Sequence, residues 1–287
     1  MKRLICFSTL IVSLAAGSFL LMPQRASAIT YGFIDSNNTF SNTGAFIVKS
    51  ATTGQIFPIC SGIMITSNVF LTASHCTVFY ERQLAPEGYV AYISLDQSIP
   101  VGPLTSNTTN LLAVSHVVSN PNYSQRQSDS GDIAVLILEQ NVAVAPATLP
   151  SCGLLDQLAA QNGLKSAVFT AAGYGVQNRV VGGGVPFFQD LNPIPRMFSF
   201  SSFNSLNRGY LRLSQNPSTG NGGTCFGDSG GPNFLTVNGQ QILAAITITG
   251  DLVCRSTNVG YRLDTASAQA FLATVNAAFG TSIPVSC

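Results

Sequence analysis

Short apolar and β-branched runs alternate with turn-forming clusters along most of this chain: Ala45 to Val48, Ile63 to Ile65, Tyr89 to Leu95, Leu111 to Val118, Ile133 to Leu138, Ala167 to Thr170 and Ile242 to Thr249. Runs of this length, bounded by Gly, Pro and Asn, predict strands. Their spacing predicts an all-β sandwich or barrel. A helical period surfaces only near the end. After Asp264 and Thr265, alanines and apolar residues recur through Phe271, Leu272, Val275 and Phe279, and Gly280 can stop the turn, so a helix is predicted over residues 265–279. The polar stretch from Ser98 to Asn110 reads as an insertion, and Gly182-Gly183-Gly184 and the segment Pro193 to Phe200 read as surface loops.

The first 28 residues differ from the rest. Lys2 and Arg3 precede an apolar run from Leu4 to Met22, and Ala26-Ser27-Ala28 offers small residues where a signal peptidase reads. The run is long enough for an uncleaved anchor, but Pro23 and the Ala-Ser-Ala site favour cleavage. Residues 1–28 are therefore predicted to be a signal peptide, with Ile29 opening a secreted or periplasmic chain that no longer engages the membrane. Removing the leader takes Lys2, Arg3 and Arg25 from the 13 basic residues and none of the 12 acidic ones, leaving a formal charge of about −2. No basic patch calls for nucleic acid. With charged residues at 9% and apolar ones at 46%, the composition is that of a compact β-protein and not of a disordered chain.

Cys6 lies in the leader, and Cys60, Cys76, Cys152, Cys225, Cys254 and Cys287 remain, an even set that an oxidising compartment would pair. The residues alone leave the pairing open. A metal site is disfavoured by the presence of only 2 histidines and the lack of any Cys-x-x-Cys. No acidic loop of the calcium-binding type occurs either, and no cofactor is expected.

Gly227-Asp228-Ser229-Gly230-Gly231-Pro232 places one serine in a glycine-rich turn. Serine needs a base to take its proton and a third group to orient that base. His75 in Leu71-Thr72-Ala73-Ser74-His75-Cys76 and Asp132 in Gly131-Asp132-Ile133-Ala134-Val135-Leu136 supply candidates. Asp129 is a rival carboxylate, but only Asp132 directly precedes an apolar run. His116 lacks a comparable setting and reads as a surface residue. The Asp-Ser-Gly context and the order His, Asp, Ser disfavour an α/β-hydrolase elbow.

These three contexts in this order resemble the chymotrypsin-like (trypsin-like) serine endopeptidases, in a secreted, bacterial-type form. Cys60-Ser61-Gly62, Ala172-Gly173-Tyr174-Gly175 and Val259-Gly260-Tyr261 add to the resemblance, which runs from about Ile29 onward. It implies two six-stranded antiparallel β-barrels, one over residues 29–150 carrying His75 and Asp132, the other over 151–287 carrying Ser229 and ending in the helix. It also implies a His75, Asp132, Ser229 triad, the arrangement that serves as the general template for this chemistry, with an oxyanion hole from the N–H groups of Gly227 and Ser229. Cys60 would pair with Cys76 and Cys225 with Cys254, leaving Cys152 for Cys287. A freed Ile29 amine would pair with Asp228.

The specificity pocket implied by the resemblance comprises Gly223, Thr224, Ile248, Thr249, Gly250 and Val259. Gly at 223 puts no carboxylate at its floor, so cleavage after Arg or Lys is not expected. A small or medium apolar side chain is. Protein or peptide would be the substrate and a monomer the working form. Two other readings remain: a catalytically silent homologue serving as a binding module, and a secreted esterase using the same triad.

Overall fold

The structure, a computed structural model, describes residues 29–101, 109–124, 126–176, 178–180, 187–189 and 192–287. The expected signal peptide, the Gly182-Gly183-Gly184 loop and most of the Ser98 to Asn110 insertion lie outside them. Strands β1 (Thr43–Ser50), β2 (Ile56–Met64), β3 (Val69–Thr72), β4 (Tyr89–Ser94), β5 (Leu112–Ser119) and β6 (Ala134–Leu138) close into a barrel in the order β1-β2-β3-β6-β5-β4. Strands β7 (Val168–Gly173), β8 (Met197–Leu206), β9 (Tyr210–Ser214), β10 (Pro232–Val237), β11 (Gln240–Gly250) and β12 (Thr257–Arg262) repeat that order as β7-β8-β9-β12-β11-β10. Pairing of β7 with both β8 and β10 closes the second barrel. All these pairings are antiparallel.

The strands read as continuous apolar runs because both of their faces are covered. In β1, Phe46 and Val48 face the first barrel's interior with Met64, Phe70, Ile93 and Leu136, while Ala45 and Ile47 turn outward onto Tyr174 from the second half. Alternation along a strand sends neighbours to opposite faces. Ile63, Leu71, Ile133 and Val135 likewise leave the barrel to join Tyr210, Phe234, Ile246 and Tyr261 in a core shared by both barrels.

The expected helix is α3 (Ala266–Phe279), capped by Thr265, whose Oγ1 accepts from the Ala268 N–H at 3.2 Å. Ala268, Phe271, Leu272 and Val275 form its buried stripe and enter the shared core. Two further helices escaped the sequence pattern: α1 (Ser74–Phe79) and α2 (Leu154–Ala160). They are too short to establish a period.

One expectation is overturned. The segment from Pro193 to Phe200 is not a surface loop along its length, because Met197–Phe200 opens β8. Ser199 and Ser201 are buried along with Met197, while Phe200 is exposed. The usual polarity is inverted, which hides the strand from a hydrophobic pattern.

Disulfides Cys60–Cys76, Cys152–Cys287 and Cys225–Cys254 are formed, with Cα separations of 6.3, 5.3 and 5.3 Å. A buried ion pair joins the barrels. Arg196 Nε donates to Asp35 Oδ2 at 2.9 Å, and Thr39 N and Phe40 N donate to the same carboxylate at 2.7 and 3.1 Å. The guanidinium also donates to the carbonyls of Thr43 and Leu95, to the Tyr174 hydroxyl and to Asn38 Oδ1. Every charge at this node has partners, which a buried pair requires.

Candidate active site

His75 is the second residue of α1, and the start of that helix is pinned to the first residues of the β6 segment. Ser74 Oγ donates to Ile133 O at 2.7 Å and accepts from Asn120 N at 2.9 Å. Asp132 then meets the histidine twice. Its Oδ1 accepts from the His75 backbone N–H at 2.8 Å and its Oδ2 lies 2.8 Å from Nδ1. A neutral imidazole held this way carries its proton on Nδ1 and presents the Nε2 lone pair outward. The rival Asp129 is engaged elsewhere, accepting from Gly131 N at 3.0 Å and the Tyr261 hydroxyl at 2.9 Å. His116 is exposed on β5.

Ser229 sits in a turn that only glycines permit. Gly227 and Gly230 have φ of +95° and +80°, values that L side chains avoid. A Cβ at 227 would lie 2.9 Å from Gly175 Cα, and one at 230 would lie 2.2 Å from Thr72 Oγ1. Among the described residues, the N–H groups of Gly227 and Ser229 have no acceptor, so both are available to a ligand. Asp228 between them is fully buried.

Ser61 of β2, which the sequence reading quoted only within the Cys60-Ser61-Gly62 landmark and gave no role, ties this turn to the first barrel. Its N–H donates to Ser229 O at 2.9 Å and its Oγ to Gly227 O at 2.9 Å, while Tyr174 N donates to that Oγ at 3.0 Å. His75 and Ser229 line one cavity of about 310 Å³ together with Thr224, Cys225, Thr247, Ile248, Thr249, Gly250 and Cys254.

The family model named Trypsin matches residues 34–271. The chain belongs to the trypsin family. Membership brings a serine-peptidase type of fold and protein as the class of substrate, and the two barrels meeting at the cavity accord with it. Three disulfides accord with an oxidising, extracellular setting. Among the described residues no helix is long and apolar enough to cross a membrane.

Thr224, Ile248, Thr249 and Gly250, which the sequence reading assigned to a specificity pocket, line this cavity. Gly223 and Val259 do not line it. Gly223 packs on the fully buried Gln215, and a Cβ at 223 would fall 2.0 Å from Gln215 Oε1. An aspartate there has no room unless Gln215 moves. Gln215 is itself fixed, accepting from Thr224 N at 2.8 Å and donating to Asp251 Oδ1 at 3.1 Å. Val259 lines the neighbouring cleft with Tyr210 and Arg212. Its predecessor Asn258 is the buried one, donating to Asn233 Oδ1 at 2.8 Å, and Asn233 in turn donates to Thr247 Oγ1 at 3.0 Å.

Two carboxylates near the cavity behave oppositely. Burial alone would raise the pKa of Asp251, but the N–H groups of Thr257, Arg255 and Ser256 and the Gln215 amide outweigh it and hold the group low. Burial pushes Asp228 up to about 7, offset only in part by N–H donation from Cys225 and Gly175. Among the described residues no cation pairs with Asp228. In the uncut chain the Ile29 nitrogen is an amide following Ala28; the Ile29 side chain is buried against Ala171 and Met197. Cys60, His75 and Cys76 bring potential metal-ligand atoms within 4.8 Å of one another, but the two sulfurs are joined as a disulfide and offer no thiolate.

Proposed function

We propose that the protein is a secreted serine endopeptidase that cleaves peptide bonds after small or medium apolar residues, with His75, Asp132 and Ser229 as its triad. The observation that carries this reading is the twofold hold of Asp132 on His75 beside the cavity that Ser229 lines. Ser229 Oγ attacks the scissile carbonyl while His75 Nε2 takes its proton, and the imidazolium returns that proton to the leaving amine. Water then attacks the acyl-enzyme, gives a proton to His75, and Ser229 departs with it. The N–H groups of Gly227 and Ser229 receive the oxyanion, one such donor being worth about 2.7 to 4 kcal/mol of barrier.

The preference follows from what lines the cavity. Thr224, Thr247, Ile248 and Thr249 give walls of modest size, and its one carboxylate, Asp251, is already occupied by local donors. A cationic side chain would find no free counter-charge. Signal cleavage after Ala28 frees the Ile29 amine for Asp228, whose lack of a cation in the uncut chain supports that pairing. The mature enzyme then spans residues 29–287, with barrels in 29–150 and 151–287, and works as a monomer.

The test is digestion of a diverse peptide library by the mature protein and by Ser229→Ala, with cut sites read by mass spectrometry. Cleavage by the wild type alone, after apolar residues, is expected. Cuts after Arg or Lys would sink the specificity, and absence of amide cleavage would leave a silent homologue or an esterase. N-terminal sequencing of active protein is expected to read Ile-Thr-Tyr.

A further inference from the structure

A second cleft, of about 460 Å³, opens on the other side of His75 and is lined by Tyr123, Arg126, Asp132, Tyr210, Arg212 and Thr249 among others. It holds two guanidinium groups, from exposed Arg126 and half-buried Arg212. Neither makes a side-chain hydrogen bond or ion pair with another described residue. The nearby carboxylates are committed: Asp132 to His75, and Asp129 to the Tyr261 hydroxyl and Gly131 N. A half-buried arginine without an acceptor is unusual, because its planar fork is well matched to a carboxylate and its desolvation is otherwise uncompensated.

Strand register relates this cleft to the Ser229 cavity. Thr249 of β11 lies opposite Val259 of β12, and Val259 lies opposite Arg212 of β9. Arg212 is thus two strands from Thr249, about 10 Å at ordinary strand spacing, which two long side chains can bridge. A peptide laid extended beside Thr249 and Gly250, with the residue before the scissile bond in the Ser229 cavity, sends its alternate residues to opposite sides. Its second and fourth residues before the bond turn toward the arginines.

Resting on the endopeptidase reading, we infer that Arg126 and Arg212 select substrates bearing an acidic side chain at the second or fourth residue before the cleaved bond. The enzyme so described takes acidic segments that carry an apolar residue at the cut.

The experiment uses peptides identical except for Glu, Gln or Lys at each of these two positions, with kcat/KM measured for the mature wild type, R212Q, R126Q, the double variant and R212K. At one of the positions the wild type is expected to favour Glu over Gln by about fivefold or more, the scale of a partly exposed ion pair, with Lys worst. That ratio should fall toward one in the double variant, return in part in R212K, and shrink as salt is raised. Thermal melting of each variant separates misfolding from lost recognition, since the ratio is internal to each folded protein. Cleavage by the wild type with no preference for Glu at either position, or a preference unchanged in the double variant, overturns the inference and leaves the endopeptidase reading standing. A wild type that cleaves no peptide and does not take a fluorophosphonate label at Ser229 overturns both.

Discussion

Asp35 and Asp228 are both buried carboxylates on the seam between the barrels, yet their surroundings are opposite. Asp35 has the Arg196 guanidinium and two backbone donors, and that guanidinium also reaches the Thr43 and Leu95 carbonyls of the first barrel. Asp228 has only the N–H groups of Gly175 and Cys225, at 2.8 and 2.9 Å. The first is a completed structural joint. The second, directly before the candidate nucleophile, has two hydrogen bonds and, among the described residues, no cation beside it, so burial favours its protonated form.

The largest test of this contrast removes the completed partner. Arg196→Met should destabilise the protein by about 3 to 5 kcal/mol in urea unfolding, because Asp35 is left buried and alone. A loss below about 1 kcal/mol would mean that the joint is dispensable. Next comes pH. Asp228 in the uncut chain keeps its proton up to about pH 7 against an ordinary value of 3.8, so the folded state binds a proton that the unfolded state releases. Its contribution to stability is therefore full below pH 3.8 and declines as pH rises to about 7, by on the order of 4 kcal/mol. The Asp228→Asn chain should lack this slope, and an identical slope in both would remove Asp228 from the account.

A smaller effect is expected on catalysis. In protein whose Ile29 amine has been freed, Asp228→Asn should lower kcat by about a hundredfold, the cost of a misaligned oxyanion donor, with KM changed far less. Retention of full kcat would refute the amine pairing. The smallest effect concerns the joint again. Tyr174→Phe deletes a hydroxyl that donates to Asp96 O at 2.7 Å and accepts from Arg196, and should cost about 1 kcal/mol, since Arg196 keeps its carbonyl partners.

The sequence pointed to His75, Asp132 and the Gly227-Asp228-Ser229 turn as candidates because each sits in a distinctive run of a few contiguous residues. It revealed most strands of the first barrel, since Phe46, Ile63 and Val135 advertise burial wherever they point. It concealed β8, where Ser199 and Ser201 are buried and Phe200 faces out. Val259 shows a subtler limit. The resemblance implies a place in the pocket wall, whereas in the structure Val259 lines the cleft with Tyr210 and Arg212 while its neighbour Asn258, facing the other way, is buried. Ser61 and Gln215 act through long-range hydrogen bonds, for which a single sequence contains no local mark.

Ser61 also ties the assembly of the candidate site to the docking of the two barrels. The hydroxyl that braces the serine turn belongs to the second strand of the first barrel, while the turn lies more than 150 residues later in the chain, at Gly227 and Ser229, a separation of 166 between Ser61 and Gly227. During synthesis the leading barrel can fold as a unit and already hold His75 against Asp132. It then has a base without a nucleophile. The brace engages only when the trailing barrel docks, so the candidate base and the candidate nucleophile come together only once both barrels are in place.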